Sequence, residues 1–209
     1  MAADWDLVVR ERAALVELFG GLQGDQWAVP SLCPGWSVQD VLAHLASVLD
    51  ASARQSLWAV VRGRGWPPAV IEQLTRVYAD RPPADLVAAY RRHTDSTFGP
   101  PVLGWRASLT DVMVHRADVA VPLGLTLDRP PAAWRPVLEF LTSAIPMMGS
   151  IRGGRPHVTW RATDLDWSSG SGPEVTGPAD AIGPALAGRA ALLDRLEGPG
   201  LEPLAAWLR

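Results

Sequence analysis

The sequence predicts a mainly α protein, with a helical domain over residues 1–150 and a small α/β domain over residues 151–209. Three observations predict it. Apolar residues recur at helical spacing in one segment after another before residue 150. Proline and glycine punctuate those segments at intervals that suit helices of ordinary length. After Gly149 the pattern changes: Ile151-Arg-Gly-Gly-Arg-Pro has the composition of a linker, and an alternating, β-branched run follows it.

The first helix is expected from about residue 4 to 22. Leu7, Val8, Leu15, Leu18, Phe19 and Leu22 fall near helical spacing, and Gly20-Gly21 weaken its end. Pro30, Pro34 and Gly35 make a loop of residues 26–36. Ser37 opens the second helix with Asp40 three residues on, the pattern of a capping box. Its stripe is Val38, Val41, Leu42, Leu45, Val48 and Leu49, and it is expected to run on to about Val61, before Gly63 and Gly65. Pro67–Tyr78 and Pro83–His93 read as helices opened by proline, whose missing N–H costs nothing in a first turn. Arg106–Val121 is a further helix, stopped by Pro122-Leu-Gly124. Pro130–Met148 is another, with Pro146 expected to kink or stop it.

In the second part, His157–Thr163 reads as a strand. Leu165-Asp-Trp-Ser and Glu174-Val-Thr are its candidate partners, joined through the Gly170-Ser-Gly172 turn. Pro178–Leu196 reads as a helix interrupted at Gly183 and Gly188, and Leu201–Leu208 as a short closing helix.

Composition excludes several classes of function. The formal net charge is −3 and no basic tract appears, so nucleic acid is not an expected partner. Every cationic side chain besides histidine is arginine, and there is neither lysine nor asparagine. One cysteine, Cys33, excludes an internal disulfide. No basic segment precedes an apolar run at the N-terminus, and no apolar run reaches the ~18 residues of a membrane span. The expectation is a cytoplasmic protein without a membrane partner, as monomer or homodimer. Most of its 10 tryptophans should wedge between helices.

The candidate chemistry centres on Asp111-Val-Met-Val-His115. An acid and a histidine four apart lie one above the other on a helix, so both reach one point. His44 sits on the stripe of a second amphipathic segment, one turn from Val41 and from Val48. Two histidines and a carboxylate from two helices make a three-ligand divalent-metal site with open positions. Each residue also has a plainer reading. His44 is a polar group packed in the core. Asp111 completes a capping box with Ser108, and His115 faces solvent. Against the capping box, Val112, Met113, Val114 and Val119 make the segment apolar on most sides, and a buried, unpaired aspartate is costly. Spacing alone leaves both readings open.

Arg116 and Asp118 read as surface or capping charges, and Cys33 as a structural thiol without an evident basic neighbour. His93 and His157 have no matching partners, and Asp164, Asp166 and Glu174 are too scattered for a carboxylate pair. No phosphate-binding loop, dinucleotide turn or Gly-x-Ser-x-Gly is present.

Two stretches carry a resemblance. Pro30-Ser-Leu-Cys-Pro-Gly-Trp-Ser-Val-Gln-Asp-Val-Leu-Ala-His-Leu-Ala46 and Asp111-Val-Met-Val-His-Arg-Ala-Asp-Val-Ala-Val-Pro-Leu-Gly124 resemble the mycothiol-dependent maleylpyruvate isomerase family, within the DinB-like metal-binding four-helix bundles. Ala162-Thr-Asp-Leu-Asp-Trp and Gly188-Arg189 resemble its small C-terminal domain more loosely. The resemblance implies an up-and-down bundle with a zinc-type divalent ion on His44, Asp111 and His115. Asp111 stands where the family more often has glutamate, one methylene longer.

It further implies mycothiol as thiol cosubstrate and a small electrophile as substrate. The thiolate would add to an activated double bond, rotation would follow, and elimination would give the trans isomer. In a thiol S-transferase it would instead displace a leaving group. Arg189 is the candidate cofactor contact. The alternative reading is a non-catalytic metal- or ligand-binding bundle of stress or sensing type, because a fold does not fix a function.

Overall fold

The computed structural model describes residues 2–99, 103–143 and 156–209. The chain forms two compact units, Met1–Leu125 and Thr126–Arg209. It is mainly helical, as the sequence predicts, with one small sheet.

The helices of the first unit are α1 (Ala2–Gly20), α2 (Val38–Asp50), α3 (Ala53–Arg62), α4 (Pro67–Ala79), α5 (Pro83–Arg91) and α6 (Gly104–Ala120). Helix α1 packs on α5 and α6, and α2 packs on the same two, so the four close a ring. Helix α4 lies against α2, and α3 against α4. The enclosed core takes Leu15, Val16 and Phe19 from α1, Val41, Leu42 and Leu45 from α2, Leu86 and Tyr90 from α5, and Val112 and Val119 from α6. These are the predicted stripes turned to one axis, which is how an amphipathic helix removes its apolar face from water.

Asp50 at the end of α2 ties this arrangement. It accepts hydrogen bonds from Tyr78 Oη of α4 (2.9 Å), Arg92 Nη2 (3.0 Å) and His93 Nε2 (3.1 Å). His93 thus has a partner that its spacing did not reveal.

One expected helix is two. The chain breaks at Ala51-Ser52, where Ser52 Oγ accepts from the Gln55 amide and Gln55 Oε1 accepts from the Ser52 amide. That second capping box starts α3 afresh.

The second unit contains α7 (Pro131–Thr142), β1 (Thr159–Ala162), β2 (Ser168–Gly170), β3 (Glu174–Gly177), α8 (Ala179–Leu186) and α9 (Leu201–Leu208). Its strand order is β2-β1-β3, with β1 antiparallel to β2 and parallel to β3. Both partner strands flank β1 and do not pair with each other. The first begins at Ser168 and not at Leu165, because residues 163–166 turn the chain and the Asp164 carboxylate there accepts from the Ala179 amide opening α8.

The unit division falls before α7, whereas composition places the boundary near residue 150. Helix α7 packs on α8, with Trp134 of α7 fully buried and its ring where a side chain on Gly183 of α8 would stand. Gly183 therefore does not interrupt the helix; it admits the indole. Pro146 lies outside the described residues.

Candidate metal centre

The loop before α2 is built to carry side chains to α6. The Ser31 amide and hydroxyl both donate to the Trp36 carbonyl, at 2.9 Å each, and the Trp36 amide returns to the Cys33 carbonyl. Gly35 takes φ +80°, which favours glycine, to close the turn. The Leu32 amide donates to the Asp118 carbonyl at 3.1 Å, pinning the loop to α6. Ser37 and Asp40 then form the expected capping box, which fixes where α2 begins and so which face carries His44.

The three sequence-predicted ligands meet. Asp111 Oδ1 lies 3.4 Å from His44 Nε2 and 3.4 Å from His115 Nε2. The imidazole centroids are 4.9 Å apart, and the Trp36 ring covers them at 5.3 Å and 6.4 Å. Both histidines are buried, while the Asp111 side chain is 34% exposed and opens the cluster to solvent.

A separation of 3.4 Å is long for a hydrogen bond. It suits donors shared by one ion, because ligands ~2.0–2.1 Å from tetrahedral zinc stand ~3.3 Å apart. Two nitrogens and a carboxylate oxygen are also a donor set for a divalent ion of this kind.

Electrostatics in the metal-free protein follow from this packing. Burial resists ionisation of Asp111, but its electrostatic contacts with the two imidazoles outweigh it, holding the carboxyl far below its ordinary value. Burial alone would push His115 down. Its hydrogen bonds with Asp111, Asp118 and Cys33 raise it well above the ordinary histidine value instead. Both shifts have the sign of a site that favours positive charge beside Asp111.

The capping-box reading of Asp111 is overturned. Ser108 lies inside α6, buried, with its hydroxyl donating to the Phe98 carbonyl. His115 does not face solvent. Arg116 and Asp118 are not surface charges either. Asp118 is completely buried and accepts from His115 Nδ1 at 2.9 Å, and Arg116 is buried with Nη1 donating to the Ala14 carbonyl. The reason is that α6 is buried on every side from Ala107 to Ala120 except at Asp111, so helical periodicity no longer separates inside from outside.

Asp118 is the residue that sequence reasoning missed. Its signal was present: it stands three residues after His115, and i,i+3 neighbours share a helix face. A carboxylate on the second ring nitrogen fixes the tautomer and turns Nε2 toward the cluster.

Half-buried Cys33 also departs from the expectation. Its thiol donates to Asp118 Oδ2 at 3.1 Å and lies 3.8 Å from His115 Nδ1. Cys33, His115 and Asp118 thereby make a second group of ligand types that shares His115 with the first. His44 Nδ1 is buried without a hydrogen-bond partner among the described residues, so the ring is oriented by packing and by its Nε2 contact with Asp111. Arg189 lies in the second unit, half-buried, with its guanidinium donating to the Ala187 carbonyl.

The fold and this cluster define a class: a four-helix bundle carrying two histidines and a carboxylate on facing helices. Residues 8–99 match the mycothiol maleylpyruvate isomerase N-terminal domain. The match includes His44 and ends before Asp111 and His115.

Two solved structures share the fold. One is a histidine-to-alanine mutant of a mycothiol-dependent maleylpyruvate isomerase, at TM-score 0.66 and 15% identity, covering 95% of this chain and 92% of the other. The second is the mycothiol-dependent maleylpyruvate isomerase at TM-score 0.64 and 14% identity, with the same coverage. No curated protein matches the sequence.

Proposed function

We propose that this chain is a metal-dependent, mycothiol-using enzyme, an isomerase or thiol S-transferase acting on a small electrophile. The observation that carries the reading is Asp111 Oδ1 standing 3.4 Å from both histidine Nε2 atoms, one of them on a helix within the stretch that matches the isomerase N-terminal domain. His44, Asp111 and His115 would hold the ion, zinc by donor type. An ion held there would stabilise a bound thiol as thiolate, the nucleophilic form.

The chain's own residues have separate tasks. Asp118 keeps the proton of His115 on Nδ1. Trp36 covers the imidazoles and excludes water from that side. The part-exposed side of Asp111 leaves an approach for thiol and electrophile. In this reading the first unit is the metal-binding domain, and the second is a small separate α/β domain. The setting is the cytoplasm, where a low-molecular-weight thiol stays reduced.

The non-catalytic alternative has one observation in its favour: the family match stops before two of the three ligands. Metal analysis of the purified chain, followed by turnover of maleylpyruvate with mycothiol, separates the readings. Stoichiometric metal, lost in a His44→Ala, His115→Ala double variant, together with thiol-dependent isomerisation is the expected result. Metal without thiol affinity or turnover favours the binding protein, and metal retained by the double variant removes the site assignment.

A further inference from the structure

Helix α3 is packed inside out. Its inward face is small and polar: Ala59 is completely buried, Gln55 and Ser56 are half-buried, and a side chain at Gly63, just past its end, would stand 2.7 Å from the Val70 amide of α4. Its outward face is large and apolar. Leu57 is 66% exposed, Val61 69%, Val60 44% and Trp58 42%. Trp66, just beyond the Gly63–Gly65 turn, is 65% exposed. Scattered exposed apolar residues are normal, but here they are contiguous, on one short helix and the turn after it.

The charge on this segment is one-sided. Residues 51–71 contain Arg54, Arg62 and Arg64 and no carboxylate, in a chain whose formal net charge is −3. The Arg62 guanidinium lies 5.4 Å over the Trp58 ring, holding cation and indole together at the surface. We infer that the outward face of α3, with Trp58, Trp66 and the three arginines, docks the protein reversibly on an anionic lipid surface.

Two arguments select that occupant. A second copy meeting this face across a two-fold axis would set the basic segment against itself, with no acid in it to answer the arginines. A bilayer interface supplies distributed negative charge for the guanidiniums and a boundary depth at which tryptophan is at home. Peripheral binding of this kind needs no membrane span, and no described helix is long and apolar enough to be one. It revises the expectation of no membrane partner, which rested on the absence of a span.

The test is co-sedimentation of the full chain with vesicles. Protein is mixed with phosphatidylcholine vesicles, with or without phosphatidylglycerol, at low salt and at about 0.5 M salt, where screening is nearly complete. The expected result is binding to the anionic vesicles only, lost at high salt, and weakened at least about tenfold in Leu57→Ser, Val61→Ser and in Arg54→Glu, Arg62→Glu. Both variants alter outward side chains, so circular dichroism and metal content should match the parent. No binding to anionic vesicles overturns the inference. So does a stable dimer in solution that either variant dissociates, since the face then belongs to a second copy. Vesicle partition reads nothing of thiol chemistry, so its failure leaves the proposed function standing.

Discussion

At the scale of single residues, Asp118 is the carboxylate partner of His115 in the candidate centre. It accepts from His115 Nδ1 at 2.9 Å and is closed to solvent, so a neutral replacement weakens the carboxylate–histidine pair without opening the site. Asp118→Asn is expected to lower zinc affinity about 10–100-fold by competition titration, with the helical content unchanged. Unaltered affinity would show that packing, not Asp118, orients the ring. How far these residues were legible follows from their chemistry. His44, Asp111 and His115 were visible because a ligand type on an apolar stripe violates a pattern, and because i,i+4 spacing predicts a shared face. Asp118 and Arg116 were read as surface charges because a helix buried nearly all round offers no polar face against which a charge looks misplaced. The Cys33 contacts join loop to helix across 85 and 82 residues of sequence, which no local pattern encodes.

Among the elements, the weight rests on Asp50, which fastens α2 to α4 and to the end of α5. Burial resists its ionisation, but hydrogen bonds from Arg92, Tyr78 and His93 prevail and hold its carboxyl below the ordinary value. A carboxylate with a depressed folded-state pKa stabilises the fold above its unfolded value, ~3.9, and loses that contribution as pH falls through the folded value. Asp50→Asn should therefore cost about 2 kcal/mol in urea unfolding at neutral pH. The difference from the parent should shrink toward zero in acid, and a difference independent of pH would locate the loss elsewhere. Prolines and caps announced the starts of α4, α5 and α7. The break between α2 and α3 did not stand out, because the apolar pattern runs through it and only Ser52-x-x-Gln55 marks it. Gly183 misled for a related reason: a glycine that makes room for Trp134 looks, in sequence, like one that ends a helix.

For the molecule as a whole, the candidate ligands lie far apart in the chain and meet only after folding. His44 and Asp111 are 67 residues apart, on helices that pack across the bundle. The unfolded chain presents no such triad, so an ion binding there binds the folded state, and linkage converts its affinity into stability. Zinc at about a thousandfold over its dissociation constant should stabilise the fold by about 4 kcal/mol. The measurable form is a rise in Tm on adding zinc to chelator-treated protein, growing with the logarithm of free zinc. The rise should disappear in His44→Ala. That variant keeps the capping box of α2 and the surrounding apolar core, so it should still fold without metal. A zinc-dependent rise that survives in it would place the ion elsewhere, and the pairing of Cys33, Asp118 and His115 would be the next cluster to examine by the same titration in Cys33→Ser.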